Sequence, residues 1–588
     1  MLFKKCKRLF SLVLAAALAF SLTACGDSDD IVGLPEGIED MSEEELAALV
    51  DAYENGELDE DTGTISEQKE AGNSGGLAGA LGKKAGQAES VSVPKLGTRI
   101  TSDYKYSSDH EKLLFTGSMQ APLVTSDCEK DFPELAKALK EASDKAFAAY
   151  EKDAADYTES AQEHYNDDPD FFKYGSYENH TSILLRRLDD TILSFADGWS
   201  SFQGGAHGSY LETGHTYDVR TGEELSLTDV LPDVSGLNEV LQEKLLEKYD
   251  PSEFFDLEDA LAHYDPELKE YREGTDSSDY ARPYTWWLSP LGIEFYFDEY
   301  ALTSYADGSQ TVVIGYDEYP RAFATEYVPK EARSFIYDFN MSTDVFDITG
   351  DGEADSLRVS YDYDGTDQDY YNGITVFVND EKESFGEENL WIYRSSYRSH
   401  YIRLKDGRQY VYTEGFVGDD HREFFVFDLS DGEIKAVDST YLDYAQSVLE
   451  EETDYNENML TDPENMELER IFYLLSTFYG RRTYHIGSDG MPESDERYTV
   501  SNIIKNTLTS KRELTCDIVD EDGSVISSGE TLASGETFFL LYTDGETYVD
   551  ARLSDGRIAR LHITDTEYPC YVDGVSAEDC FEELFYVG

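Results

Sequence analysis

Apolar positions fall into three textures along the chain, and each predicts a different kind of structure. From Phe132 to about Tyr165, Leu135, Leu139, Ala146, Ala149 and Tyr150 recur at helical spacing, which predicts one long helix with an interrupted apolar face. The same spacing predicts helices over Leu237–Tyr249 and Leu257–Tyr271. Around them lie strand-like runs at 113–122, 177–185, 192–195, 210–219, 286–288, 293–297 and 311–316. Strands and helices in this order, without regular βαβ alternation, predict an α+β domain over 96–333.

After about Arg333 the pattern shortens to strands separated by Asp-Gly pairs. Asp406-Gly407, Asp431-Gly432, Asp544-Gly545 and Asp555-Gly556 each sit between apolar or alternating runs, a strong local hairpin signal because the turn needs positive φ. This predicts a mainly β C-terminal half built from short hairpins. The stretches 440–452 and 463–479 read as helical, so the half divides into a β-rich domain over 334–440, a helical connector over 441–497 and a small β barrel or sandwich over 498–588.

The N-terminal end has a third texture. Lys4, Lys5, Lys7 and Arg8 precede an apolar run, Leu9 to Leu22, that is too short to span a bilayer comfortably and has the layout of a secretory signal. Leu22-Thr23-Ala24-Cys25 resembles the lipobox of bacterial lipoproteins, which implies a signal peptide over 1–24 and a lipid on Cys25. The expected location is the cell membrane, lipid-anchored on its extracytoplasmic face. Residues 25–95 are rich in Asp, Glu, Gly, Ala and Ser and almost free of aromatics, a composition that predicts a disordered acidic tether.

Charge narrows the partners. The 588-residue chain carries a formal net charge of −76, so it lacks the Lys and Arg clusters that nucleic acid or an anionic surface requires. A cationic protein is electrostatically favoured. Beyond the signal and the anchor, Cys128, Cys516, Cys570 and Cys580 are too few for a disulfide scaffold, and pairing of Cys570 with Cys580 or free buried thiols both fit.

Two motifs carry candidate chemistry. In Asp347-Ile348-Thr349-Gly350-Asp351-Gly352-Glu353-Ala354-Asp355, oxygen side chains alternate at Asp347, Thr349, Asp351, Glu353 and Asp355, and Gly352 permits a sharp turn. The loop resembles the calcium loops of integrin-type FG-GAP repeats, which implies a structural calcium ion. A metal-free Asx-turn hairpin is the alternative.

The second motif begins with Gly204-Gly205-Ala206-His207-Gly208. It continues through Thr216 to Leu231, Trp287-Leu288-Ser289-Pro290-Leu291-Gly292-Ile293 and Phe295-Tyr296-Phe297 to Tyr300, Tyr305, Gly308 and Val312 to Tyr316. Over about residues 100–325 this set resembles the extracytoplasmic domain of lysozyme-responsive anti-sigma factors and of some peptidoglycan deacetylases. The resemblance implies an α+β domain with an extracellular binding role. Neither a cytoplasmic sigma-binding segment nor a deacetylase domain is recognisable, so signalling and deacetylation are not implied.

His207, Tyr210, Trp286 and Trp287 are the candidate binding residues, and no catalytic residue is assigned. His207, with His215 eight residues on, lacks zinc-site spacing and reads as a histidine tying a tight loop. The expected function is a surface-anchored binding lipoprotein for a cell-envelope component such as peptidoglycan, or for a secreted cationic protein such as a muramidase. The alternative is an envelope hydrolase acting on glycan or peptide, which would place His207 beside a carboxylate in a deep pocket.

Overall fold

The computed structural model describes residues 93–586 apart from 127, 174, 273–279, 364–369, 386–391, 394–397, 418–420, 449–454, 502–506 and 583. The signal peptide, Cys25 and all but the last three residues of the expected tether lie outside the described residues. Residues 91–588 form one compact unit.

The first domain is built on a seven-stranded sheet. Strands β1 (Leu96–Tyr106) and β2 (Leu113–Val124) form an antiparallel pair. Helix α1 (Pro133–Asp167) then crosses over to β3 (Tyr177–Leu188), which runs parallel to β2. Strands β4 (Ile192–Phe202) and β5 (Ser209–Asp218) continue the sheet as antiparallel neighbours. A β2-to-β3 connection of this kind needs a long crossover, because parallel strands cannot be joined by a tight turn. Helix α1 supplies it: Pro133 stands in its first turn, and the expected Leu135, Leu139 and Tyr150 are buried together with Phe147, Ala154 and Ala161, whereas Ala146 is half-buried and Ala149 exposed.

A second, three-stranded sheet, Trp286–Leu288, Gly292–Phe297 and Gln310–Gly315, packs against helix Leu237–Lys248 and helix Leu257–Ala262. The latter helix is shorter than the expected span to Tyr271. Tyr264–Asp265 turns into a short strand and Pro266 follows, and a residue before proline is steered out of helical geometry. The two sheets meet closely at Gly214, where an added Cβ would stand 1.9 Å from the Trp286 carbonyl oxygen.

The C-terminal half is mainly β, as expected. It holds a seven-stranded sheet beginning at Phe335–Phe339, a four-stranded sheet within 342–385, and a fourteen-stranded sheet running from Asp443–Tyr444 to Phe581–Glu582. All four Asp-Gly pairs turn antiparallel hairpins, with Gly407, Gly432, Gly545 and Gly556 at φ 94°, 74°, 88° and 90°. The helical connector expected over 441–497 is not found. Its described residues contain no helix but strands, among them Met466–Phe472 and Phe478–Ile486. Met466 and Leu468, then Phe478, Gly480, Tyr484 and Ile486, are buried at a period of two, and Leu475 at φ 60° breaks the apolar run that mimics a helical face. Among the described residues, no helix is long and apolar enough to cross a membrane.

The boundary expected at 333/334 does not separate independent bodies. Tyr455–Asn458 pairs antiparallel with Gly97–Ile100 of β1, and Gln446–Val448 pairs with Tyr455–Asn458, so the C-terminal half supplies the outer strands of the first sheet. Asp338 ties the same junction: its carbonyl accepts Arg186 Nη1 (2.7 Å), its Oδ2 accepts the Leu185 amide (3.2 Å), and its Oδ1 meets His400 Nδ1 (2.6 Å). His400 Nε2 lies 2.6 Å from the Tyr444 hydroxyl. Beside it, Arg422 pairs with Glu414, Asp443 and Glu457 at 3.0, 2.5 and 2.9 Å. Such a cluster satisfies the rule that a buried charge must find partners, and every partner here comes from a different strand.

Candidate functional site

The hairpin between β4 and β5 turns through residues 203–208, where Gly204 and Gly205 take φ of 91° and 109°. Glycine is needed because these values are costly for any residue with a Cβ. His207 is exposed at the tip. Its Nδ1 lies 2.8 Å from the Gly208 carbonyl oxygen, and its ring stacks on Tyr305 at a centroid distance of 3.8 Å. Tyr300, exposed and at φ 64°, stands 5.7 Å from Tyr305 and completes an aromatic face on this flank.

The opposite flank of the same tip meets the end of α1. Phe202 lies near Phe171 with ring centroids 6.5 Å apart and planes 19° from parallel, and an added Cβ at Gly204 would come within 3.0 Å of the Phe171 ring. Asp168, Asp170, Phe171, Gly175 and Phe202 line an open recess of about 460 Å³ here. The floor is aromatic and the two rim carboxylates are exposed.

Beneath the tip the side chains turn inward. The Tyr210 hydroxyl donates to Glu212 Oε1 (3.0 Å) and accepts from Asn340 Nδ2 (2.9 Å), and burial raises its pKa well above that of a free phenol. Glu212 Oε2 accepts from Arg186 Nη2 at 2.6 Å, and the Arg186 guanidinium lies over Trp287 and Tyr337, 4.5 and 4.8 Å from their ring centroids. Trp287 Nε1 and the Tyr337 hydroxyl both donate to Glu294 Oε2, at 2.6 and 2.7 Å. Burial pushes the Glu294 carboxyl up, against the pull of Arg186 and its donors. Burial likewise raises Asp298 to about 6, and Asp298 Oδ1 accepts the Glu212 amide (3.3 Å).

The four expected binding residues therefore divide. His207 alone is exposed; Trp287 is 1% exposed and is a core residue, while Tyr210 and Trp286 are half-buried. An indole this deep, with its N–H spent on a carboxylate, presents nothing to a ligand. Phe171, Phe202, Tyr300 and Tyr305 form the accessible aromatic face instead. The glycines at 204 and 205 are the signal that marks this end, both at positive φ and Gly204 against the Phe171 ring; the sequence does not show which aromatics converge there.

His207 lies in an exposed turn beside backbone and tyrosine rings, not in a deep pocket, and its charge is felt at the Glu299 carboxyl, whose pKa burial raises and His207 lowers. His215 is bound differently: Nδ1 lies 2.7 Å from Glu224 and Nε2 3.4 Å from Asp197. Burial opposes its charge, but the hydrogen bonds and charges of those two carboxylates raise its pKa to about 10. It is a structural cation on the sheet.

The expected calcium loop is closed by its own backbone. Asp347 accepts the amides of Gly350, Asp351 and Gly352 at 2.6, 3.1 and 3.0 Å. Asp355 accepts the amides of Ile348 and Thr349, the Thr349 hydroxyl and Asn379 Nδ2. Four donors fill the roughly four lone-pair sites of a carboxylate. Asp351 Oδ1 accepts the Glu353 amide. Asp347, Thr349, Asp351 and Asp355 thus make the hydrogen bonds of an Asx-turn loop, with Glu353 exposed beside them. Among the described residues, no group of three or more His, Cys, Asp or Glu side chains is placed to hold a metal. Cys128, Cys516, Cys570 and Cys580 are free thiols, the last three buried.

Residues 232–317 match the model of the family described as "Protein of unknown function (DUF3298)". The match covers both short helices and the three-stranded sheet. No curated protein matches the chain. Two crystal structures of DUF3298 family members are similar to it. One, from Bacteroides fragilis NCTC 9343, is 18% identical, with 39% of this chain and 94% of that chain covered and a TM-score of 0.29. The other, from Pseudomonas aeruginosa PAO1, is 15% identical, with 40% and 97% covered and a TM-score of 0.26.

Proposed function

We propose that the protein is a surface-anchored binding lipoprotein, held at the extracytoplasmic face of the membrane by lipid on Cys25, whose first domain captures a secreted cationic protein such as a muramidase. The observation that carries this reading is the hairpin end of the first domain. There an exposed glycine turn joins aromatic rings on both flanks, with carboxylates at the rim, on a chain of net charge −76. Half-exposed aromatics supply contact area at low entropic cost, and charge of one sign steers an oppositely charged protein to them. The resemblance of residues 100–325 to lysozyme-responsive extracytoplasmic domains points to the same class of partner.

The test is a titration of lysozyme against residues 91–588 at two salt concentrations. Binding is expected at low salt and should weaken by about tenfold or more in half-molar salt, because exposed charges more than a Debye length apart are screened. No binding at low salt would remove the reading.

A further inference from the structure

We propose that the recess beside the hairpin is a subsite for a basic side chain of the captured protein, with the aliphatic stem on Phe171 and Phe202 and the cationic head at Asp168 and Asp170. The inference rests on the binding function proposed above. Its shape argument is direct: the recess is walled by two rings 6.5 Å apart and lies open at Gly175, where an added Cβ would meet nothing within 4 Å. Long basic side chains have the matching build, an apolar stem with a charged end.

The rim already shows this chemistry. Lys173 Nζ stands 2.8 Å from Asp170, both side chains at least half exposed, so Asp170 holds an ammonium that solvent can replace. An exposed pair of this kind is weak and gives way to an incoming cation. The floor is fixed independently. Phe171 packs on His164 at 4.5 Å and edge-on to Phe172 at 5.0 Å, and His164 is in turn placed by the Tyr177 hydroxyl, 3.1 Å from its Nδ1. The rings are therefore held before a ligand arrives, and an apolar stem laid on them is buried while its charged end stays at the rim. A glycan could also stack on such rings, but two carboxylates on a strongly acidic chain favour the cation.

The test compares lysozyme binding by residues 91–588 with that of the Asp168→Asn/Asp170→Asn double variant, of Phe171→Ala and of Phe171→Trp. A charge-matched control, Glu381→Gln/Glu383→Gln, removes two exposed carboxylates from the four-stranded sheet. The first double variant and Phe171→Ala should each weaken binding about threefold or more, Phe171→Trp should retain it, and the control should stay near wild type. If wild type does not bind, the underlying function fails. If wild type binds and both double variants bind equally, the subsite alone is overturned. Soluble peptidoglycan fragments that bind wild type and lose Phe171→Ala, with lysozyme binding unchanged, would reassign the recess to glycan.

Discussion

At the scale of single residues, burial decides what a side chain does. Trp287 carries one of the sequence strings most suggestive of recognition, yet it closes over Arg186 and donates to Glu294. Trp287→Ala should cost about 3–5 kcal/mol in denaturant unfolding, the usual range for emptying an aromatic core site, and leave the affinity of the remaining folded protein for lysozyme unchanged. A variant of native stability with weakened binding would restore Trp287 to the interface. His215 makes a pH-dependent contribution whose sign follows from its neighbours. Its folded pKa of about 10 exceeds the free imidazole value of about 6.5, so its stabilising effect is complete below pH 6.5 and is lost as pH rises towards 10. The stability difference between wild type and His215→Gln should therefore narrow over that interval, and a difference that stays flat would contradict the ion pairs with Asp197 and Glu224. Neither role can be read from sequence, because Asp197, Glu224 and Glu294 reach these groups only through strand pairing.

At the scale of elements, local rules read well where the chain satisfies its own polar groups. Pro133 and the Leu135–Leu139 spacing locate α1, and Asp-Gly locates four hairpins, because both signals act within a few residues. The rule fails between 441 and 497, where short apolar runs fit either period and the choice is made by distant neighbours: β1 for Tyr455–Asn458, and the fourteen-stranded sheet for Met466–Ile486. The Asp347–Asp355 loop is a third case, since alternating oxygens serve an ion or the loop's own amides equally well. Four donors to Asp355 hold the folded loop from within. Thermal unfolding with millimolar calcium against chelator decides between them, an equal midpoint favouring the metal-free turn, while Asp355→Ala should cost about 1–3 kcal/mol for the donors left unpaired. A calcium-dependent rise in the midpoint would show instead that the ion displaces these bonds.

At the scale of the whole molecule, the two halves share a sheet and the buried Asp338 junction with Leu185 and Arg186, and this sets how the protein unfolds. The α+β character of the first domain and the β character of the second half were both legible from pattern, but their union was not. A strand pairing between Gly97–Ile100 and Tyr455–Asn458 spans more than 350 residues, and no local signal encodes it. Arg422 is the most informative place to cut. It is 8% exposed in its side chain and faces Glu414, Asp443 and Glu457, of which Glu457 belongs to the strand that pairs with β1. Removing the cation leaves three carboxylates facing one another, with Arg398 as the nearest remaining counter-charge, 3.4 Å from Glu414 and 3.5 Å from Glu457. Burial already raises Asp443 to about 6 while Arg422 pulls it down, so without Arg422 its charged form becomes costlier still. Arg422→Met should therefore destabilise by about 3–5 kcal/mol, the range for breaking a buried pair, and protonation of the orphaned acids should recover part of that loss as pH falls towards 5. Because the cluster fixes Glu457 in the strand that pairs with β1, the loss should appear in the first domain as well. In a Trp391→Phe background, fluorescence from Trp199, Trp286 and Trp287 and the far-ultraviolet strand signal should report one shared, shifted transition. Two separated transitions, with the tryptophan signal unmoved, would mean that the halves fold independently and that the shared sheet forms only after each is complete.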